Sequence, residues 1–218
     1  KEAYVGSKLG FREILMVKRH PLNISHVYVY HVEGFQHGGG LYVYSPDANG
    51  GSLRCLVDSS EGMISTADLS YDGKRVVFAW KKGGMIRCRP VAHIKDVSCS
   101  IREENYQIWT VNVDGTDLRQ LTKGRHNNLD PCWLPDGGIA FISTRSQQFG
   151  RCHGSRYVPS YCLYRADGDG SNIRRISDNE ANEWNPAMLH DGRIVYCRWD
   201  YVNRHDTVFQ SLLMMRPD

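Results

Sequence analysis

Three short stretches of this chain are variations on one pattern. Asp68–Phe78 reads DLSYDGKRVVF, Pro131–Phe141 reads PCWLPDGGIAF, and Pro186–Tyr196 reads PAMLHDGRIVY. Each sets an Asp-Gly pair (Asp72-Gly73, Asp136-Gly137, Asp191-Gly192) between a short lead-in and a β-branched or aromatic run. Asp-Gly is the strongest short hairpin signal, because glycine takes a positive φ with no Cβ penalty. A chain that repeats such a hairpin is built by stacking like units.

A second motif interleaves with the first. Ile108–Leu121 reads IWTVNVDGTDLRQL and Leu163–Ile176 reads LYRADGDGSNIRRI; Leu41–Leu56 carries the same idea with a longer turn, and LMMRPD at the end of the chain begins it again. In all four copies an apolar residue (Leu41, Ile108, Leu163, Leu212) stands six positions ahead of an aspartate (Asp47, Asp114, Asp169, Asp218). Trp109, Val111 and Val113 alternate with Thr110 and Asn112, the period of a strand with one buried face. Only Ala92–Glu104 hints at a helix, and β-branched and polar residues break it.

Each unit therefore reads as four short antiparallel strands. Such a sheet cannot bury both faces alone, so the units must stack radially as the blades of a β-propeller. About four blades are expected, at 11–62, 63–128, 129–182 and 183–218, the last incomplete. The alternative, a β-sandwich with coincidental turn similarity, does not explain three turn pairs in register.

Charge and composition exclude several classes. The 218 residues hold 27 basic and 24 acidic side chains, a net charge of +3, scattered without the basic stripe of a nucleic-acid binder. No apolar run is long enough for a bilayer span. No basic, apolar, small-residue leader opens the sequence, so any export signal is expected outside it. No Gly-x-Ser-x-Gly elbow, His-Glu-x-x-His pair or phosphate-cradling glycine loop is present, so no hydrolase site is legible.

Several residues are candidates for chemistry. Cys88 and Cys99 lie in one insertion between strand motifs, and Cys152 and Cys162 in the corresponding insertion of the next unit; two disulfides there would suit an exported protein, with free thiols the alternative. Cys55, Cys132 and Cys197 fall in strand-like runs and read as small buried hydrophobes. Cys152 and His153 offer soft metal ligands, but no second ligand pair stands nearby. Long-range ligands could come from the region of His26, His31 and His37, but nothing in the sequence shows them close to this loop. Asp167–Asn172, DGDGSN, lacks the glycine and glutamate of a calcium loop and reads as a hairpin turn. Asn23-Ile24-Ser25 matches a glycosylation sequon. In CRWDYVNRHD, at the end of what reads as an inner strand, Arg198, Asp200, Arg204 and His205 could line a channel mouth and bind a polar or anionic ligand. The other reading is an Arg–Asp network tying adjacent blades together.

The ordered set LMVKRH, SYDGKRVVFAWK, YQIWTVNVDGTDLRQLT, PCWLPDGGIAFISTR, LYRADGDGSNIRRIS, DGRIVYCRWDYV and LLMMRPD resembles the TolB-like propellers with WD40-like PD40 repeats. Within them the resemblance narrows to the N-terminal propeller of hydrazine synthase alpha-subunit-like proteins. It implies a propeller of the six-bladed type within a larger periplasmic or extracellular protein, whose neighbouring domain can carry c-type haem. Haem attachment needs Cys-x-x-Cys-His, and none of the seven cysteines begins that motif: Phe149 stands where Cys152-His153 would need the first cysteine. No cofactor is therefore expected within this chain, and haem c only in a downstream domain. The implied role is a non-catalytic scaffold or binding module facing a neighbouring domain, a partner protein or a small ligand. The alternative is the propeller part of a haem redox subunit that shapes a cavity beside a haem carried elsewhere. A propeller peptidase or lactonase would need catalytic residues from another domain.

Overall fold

The computed structural model describes residues 10–21, 37–47, 50–83, 105–148, 160–179, 181–200 and 210–218. Among them there is no α-helix, and fourteen strands form four antiparallel sheets that follow one another along the chain. Sheet 1 holds β1 (Ile14–Lys18), β2 (Gly40–Ser45) and β3 (Ser52–Asp58). Sheet 2 holds β4 (Met63–Leu69), β5 (Arg75–Lys81), β6 (Gln107–Asn112) and β7 (Arg119–Gln120). Sheet 3 holds β8 (Asn128–Trp133), β9 (Ile139–Ser143), β10 (Cys162–Ala166) and β11 (Arg174–Arg175). Sheet 4 holds β12 (Asn182–Met188), β13 (Ile194–Trp199) and β14 (Gln210–Met215).

The sheets stack face to face, which is why β5 and β9 read as unbroken apolar runs rather than alternating ones. Val76, Phe78 and Trp80 of β5 pack toward Leu41 and Val57 of sheet 1, while Val77 and Ala79 pack toward Leu129 and Ile142 of sheet 3. Ile139, Ala140, Phe141 and Ile142 are all fully buried, because sheet 3 is covered on both sides. Each such large side chain contributes about 1.5–3 kcal/mol relative to exposure. Among the described residues the end sheets are covered on one side only. Leu15 and Val17 face sheet 2 while Ile14 and Met16 are exposed; Leu213 and Met215 face sheet 3 while Leu212 and Met214 are exposed.

Strands β4, β8 and β12 each stand at one end of their sheet's order, and β8 packs on both β4 and β12, so that these are the inner strands of their blades. β1 packs on β4 as β5 packs on β8, so sheet 1 presents the second, third and fourth strands of a blade. The stretches 22–36, 84–104, 149–159 and 201–209 accordingly all connect a second strand to a third. The strand ends they join, such as Lys81 and Gln107 or Trp199 and Gln210, lie opposite the Asp-Gly turns.

The second set of turns reaches the neighbouring sheet. Gly170, at φ +85°, sits so that an added Cβ would stand 2.3 Å from the Leu121 carbonyl oxygen of sheet 2, whereas Gly137, at φ +83°, has open space around it. Gly170→Ala should cost about 2 kcal/mol, from left-handed strain plus the clash, and Gly137→Ala only about 1 kcal/mol. Urea denaturation of the two variants side by side checks this difference. DGDGSN is a turn here: Asp169 Oδ1 accepts from the Ser171 N–H at 2.8 Å, and Asp167 Oδ2 accepts from Asn172 Nδ2 at 2.6 Å.

Two readings of the cysteines need correction. Cys132 is buried, but Cys55 is exposed, because β3 is the outermost strand of an end sheet; Cys197 is only partly buried. Cys162 is a buried free thiol whose Sγ donates to the Asn179 carbonyl at 3.3 Å. Its expected disulfide partner Cys152 lies outside the described residues, as do Cys88 and Cys99.

Candidate functional site

Polar side chains concentrate at two places, the axis and the joints between sheets. At the axis every complete inner strand carries a bulge at one matching position. The register breaks between Ile64 and Ala67, between Leu129 and Cys132, and between Trp184 and Ala187. Thr66, Asp130 and Asn185 occupy these bulges. Asp130 (φ 49°) and Asn185 (φ 48°) are left-handed, a conformation their short polar side chains tolerate, and each precedes a proline that has no ladder N–H to lose. Asp130 spans the three sheets: Oδ1 accepts from Thr66 Oγ1 at 3.2 Å, and Oδ2 accepts from the Asn185 N–H at 3.2 Å. Asp68 Oδ2 makes a further cross-sheet link, accepting from the Trp133 N–H at 2.8 Å.

The joints use a second, repeated device. Asn127 Oδ1 accepts from the Tyr106 N–H at 3.0 Å, and Asn182 Oδ1 accepts from the Tyr161 N–H at 2.6 Å. In return the Tyr106 carbonyl accepts from Asn128, and the Tyr161 carbonyl from Glu183. Thr122 Oγ1 accepts from the Ile108 N–H and Ser177 Oγ from the Leu163 N–H, both at 2.8 Å. One constant sequence offset separates every residue of the first joint from its counterpart in the second. Sequence reasoning missed this, although the same offset separates IWTVNVDG from LYRADGDG, and reading it a few residues further would have exposed the Asn pair.

The two joints differ in charge. Gln107, Asn128 and Ser143 make the first neutral at its centre, with Arg145 Nη1 donating to Asn128 Oδ1 at 2.7 Å. In the second, Glu183 is fully buried; its Oε2 accepts from the Leu163 N–H at 2.9 Å and from the Ser177 hydroxyl, and Oε1 has no hydrogen-bond partner among the described residues. Burial pushes its carboxyl above the usual glutamate range, only partly offset by those two donors and by Arg198 and Arg175. The folded chain thus holds this proton where the unfolded chain, near 4.5, releases it. Stability should therefore fall as pH rises from the ordinary glutamate range through the raised value. Asp68 is raised by burial too and acts in the same direction. Glu183→Gln should flatten that slope, read by chemical denaturation at a series of pH values; an unchanged slope would assign it to other groups.

The sequence-derived cluster is only partly in view. Arg198 lies on β13, the second strand of sheet 4 and not an inner one, because the Asp191-Gly192 turn has already carried the chain one strand outward. Arg198 Nε donates to Asp200 Oδ1 at 2.7 Å, and Arg198 stands opposite Glu183 in the same sheet. This pair ties one blade internally rather than two blades together. Arg204, His205, Cys152, His153, His26, His31 and the Asn23-Ile24-Ser25 sequon lie outside the described residues. His37 Nδ1 is 2.9 Å from the Glu61 carbonyl oxygen. Among the described residues no group of three or more His, Cys, Asp or Glu is placed to hold a metal ion, and no helix is long and apolar enough to cross a membrane.

Comparison with known proteins bears on the fold. The chain is similar to a TolB-like protein from Agrobacterium tumefaciens, with a TM-score of 0.55 and 22% identity, over 82% of this chain and 53% of that one. It is similar to Kuenenia stuttgartiensis hydrazine synthase, with a TM-score of 0.66 and 16% identity, over 93% of this chain and 30% of that one. The fold is a TolB-like β-propeller. Axial bulges and sheet-to-sheet joints are thus features of the blades of a TolB-like propeller. An uncharacterised protein of Agrobacterium fabrum is 29% identical over 104 residues, 47% of this chain and 31% of that protein. The chain therefore spans well under two thirds of each of these proteins. No family model matches it.

Proposed function

We propose that this TolB-like propeller is a non-catalytic scaffold and binding module of a larger exported bacterial protein. Its working face is the one from which the connections between second and third strands leave. The observation that carries this is topological: all four of these connections join strands at the same end of the sheets. By sequence they hold Cys88, Cys99, Cys152, His153, Arg204 and His205, whereas the opposite face consists of short Asp-Gly turns. Rigid blades with long connections on one face suit a neighbouring domain, a partner protein or a small ligand. The exposed apolar faces of sheets 1 and 4 fit a chain that packs against further blades in a periplasmic or extracellular protein.

A second reading draws on the structural likeness to hydrazine synthase over 93% of this chain. In it the propeller shapes a cavity beside a c-type haem. The haem would be held by residues outside 1–218, since no cysteine here opens a Cys-x-x-Cys-His motif. A visible spectrum and a pyridine haemochrome assay of the full-length protein separate the two. A featureless spectrum from correctly exported protein leaves the scaffold reading, whereas a c-type haemochrome replaces it with the redox-subunit reading.

A further inference from the structure

Arg198 stands between two carboxyl groups and is ion-paired with one of them. Its Nε donates to Asp200 Oδ1 at 2.7 Å, just past the end of β13. Directly across the ladder from Arg198 is Glu183 of β12. Opposed side chains leave a sheet on the same face, with Cβ atoms about 5 Å apart. The guanidinium therefore reaches either carboxyl by turning about its own side-chain bonds. The two acceptors differ in their surroundings: the Asp200 side chain is 46% exposed, whereas Glu183 is fully buried. Glu183 Oε2 accepts from the Leu163 N–H of sheet 3 and from the Ser177 hydroxyl, while its buried Oε1 accepts no hydrogen bond among the described residues. Tyr196 of β13, Cys162 of β10 and Arg175 of β11 also lie within electrostatic reach of Glu183. Arg175 is engaged by the Ser177 carbonyl and by Asp178, and the Cys162 thiol donates to the Asn179 carbonyl. Glu180 and the 201–209 stretch, with Arg204, His205 and Asp206, adjoin these residues in sequence and lie outside the described ones.

We propose that Arg198 is the moving part of a proton-driven switch: it rests on Asp200 while Glu183 is protonated, and turns to Glu183 Oε1 when Glu183 releases its proton to solvent. Once ionised, a buried carboxylate needs a cation beside it, and the register supplies Arg198. The exposed arginine–aspartate pair is the weaker competitor, because water solvates both of its ends. The exchange frees Asp200 at the root of the 201–209 connection and draws Arg198 onto the joint between sheets 3 and 4. At low pH that connection is anchored to β13 through Asp200; at higher pH the anchor is released. The first joint cannot switch in this way, because neutral Asn128 and Ser143 stand at the positions of Glu183 and Arg198. The device does not depend on whether the connection meets a domain, a protein or a haem.

The test is a pH titration of the full-length protein, followed by the Arg198 Nε–H resonance and by the carboxyl carbons of Glu183 and Asp200. All three signals should move together, at one midpoint above the ordinary glutamate range. In Glu183→Gln the Arg198 signal should stay at its low-pH position throughout that range. An Arg198 signal that does not move at the Glu183 midpoint overturns the switch. So does one that moves equally in Glu183→Gln, since another group, His205 for example, would then be driving it. Should Glu183→Gln fail to fold, Asp200→Asn carries the same decision. With the competitor gone, Glu183 should lose its proton about two- to fivefold more readily, and that gain should vanish in an Arg198→Gln background. An unchanged Glu183 midpoint, or a gain that persists without Arg198, overturns the proposal.

Discussion

Asp130→Ala is expected to lower the unfolding free energy by about 4 kcal/mol. The residue's carboxylate accepts from Thr66 of one sheet and from the Asn185 backbone of another. Hydrogen bonds to a charged group are worth about 1.5–3 kcal/mol each. Alanine at φ 49° adds left-handed strain of about 1–2 kcal/mol that aspartate tolerates better. Asp130→Asn keeps the left-handed preference and one acceptor oxygen, and should cost only about 1–2 kcal/mol. Thr66→Val removes one of the two bonds and leaves the bulge intact, at about 1.5–3 kcal/mol. Urea denaturation of the three variants gives the order directly. If Asp130→Ala costs no more than Thr66→Val, the axial belt is not a structural tie.

The joints should respond almost as strongly. Asn182 is fully buried, and its Oδ1 takes the Tyr161 N–H at 2.6 Å. Asn182→Ala leaves that buried N–H without its acceptor and opens a small void, together about 3 kcal/mol. Asn127→Ala should cost a similar amount through the Tyr106 N–H. Because the two asparagines serve different joints, the double variant should lose close to the sum. Amide hydrogen exchange localises the effect: the Tyr161 amide should lose protection in Asn182→Ala while the Tyr106 amide keeps its own. Equal loss at both amides would mean that the joints open together.

The turn aspartates set the acid side of the stability profile. Hydrogen bonds from Ser70 and the Lys74 N–H hold Asp72 below the usual carboxylate range, and Asp114, Asp169 and Asp191 are held low in the same way by neighbours in their own turns. Their contribution is present above the ordinary aspartate value and is lost as pH falls through the depressed ones. With Glu183 acting in the opposite sense, the stability maximum should fall on the mildly acidic side of neutrality.

How much was legible in the sequence depends on the range of the interactions involved. Asp72-Gly73, Asp136-Gly137 and Asp191-Gly192 announce their hairpins because the signal is local, and the apolar runs behind them announce strands buried on both faces. The position of a strand within its blade is a longer-range property. Cys55 therefore read as buried although it sits on an outer strand, and Arg198 read as axial although it lies one strand out. The Asp130-Pro131 and Asn185-Pro186 pairs carried a clue to the bulges, since both are turn-type dipeptides inside strand runs.

The repeated joints also bear on how such a chain grows. Asn127 and Asn182 belong, by sequence, to the start of one sheet, yet each closes the hydrogen-bonding of the sheet before it. A cut made neatly between two sheets therefore strips the departing sheet of its own last acceptor. The piece that can be copied or removed without leaving a torn edge runs from the middle of one sheet to the middle of the next. Gene duplication and deliberate truncation should both respect that phase, with viable breakpoints inside the long connections between second and third strands rather than at the boundaries the eye draws between blades.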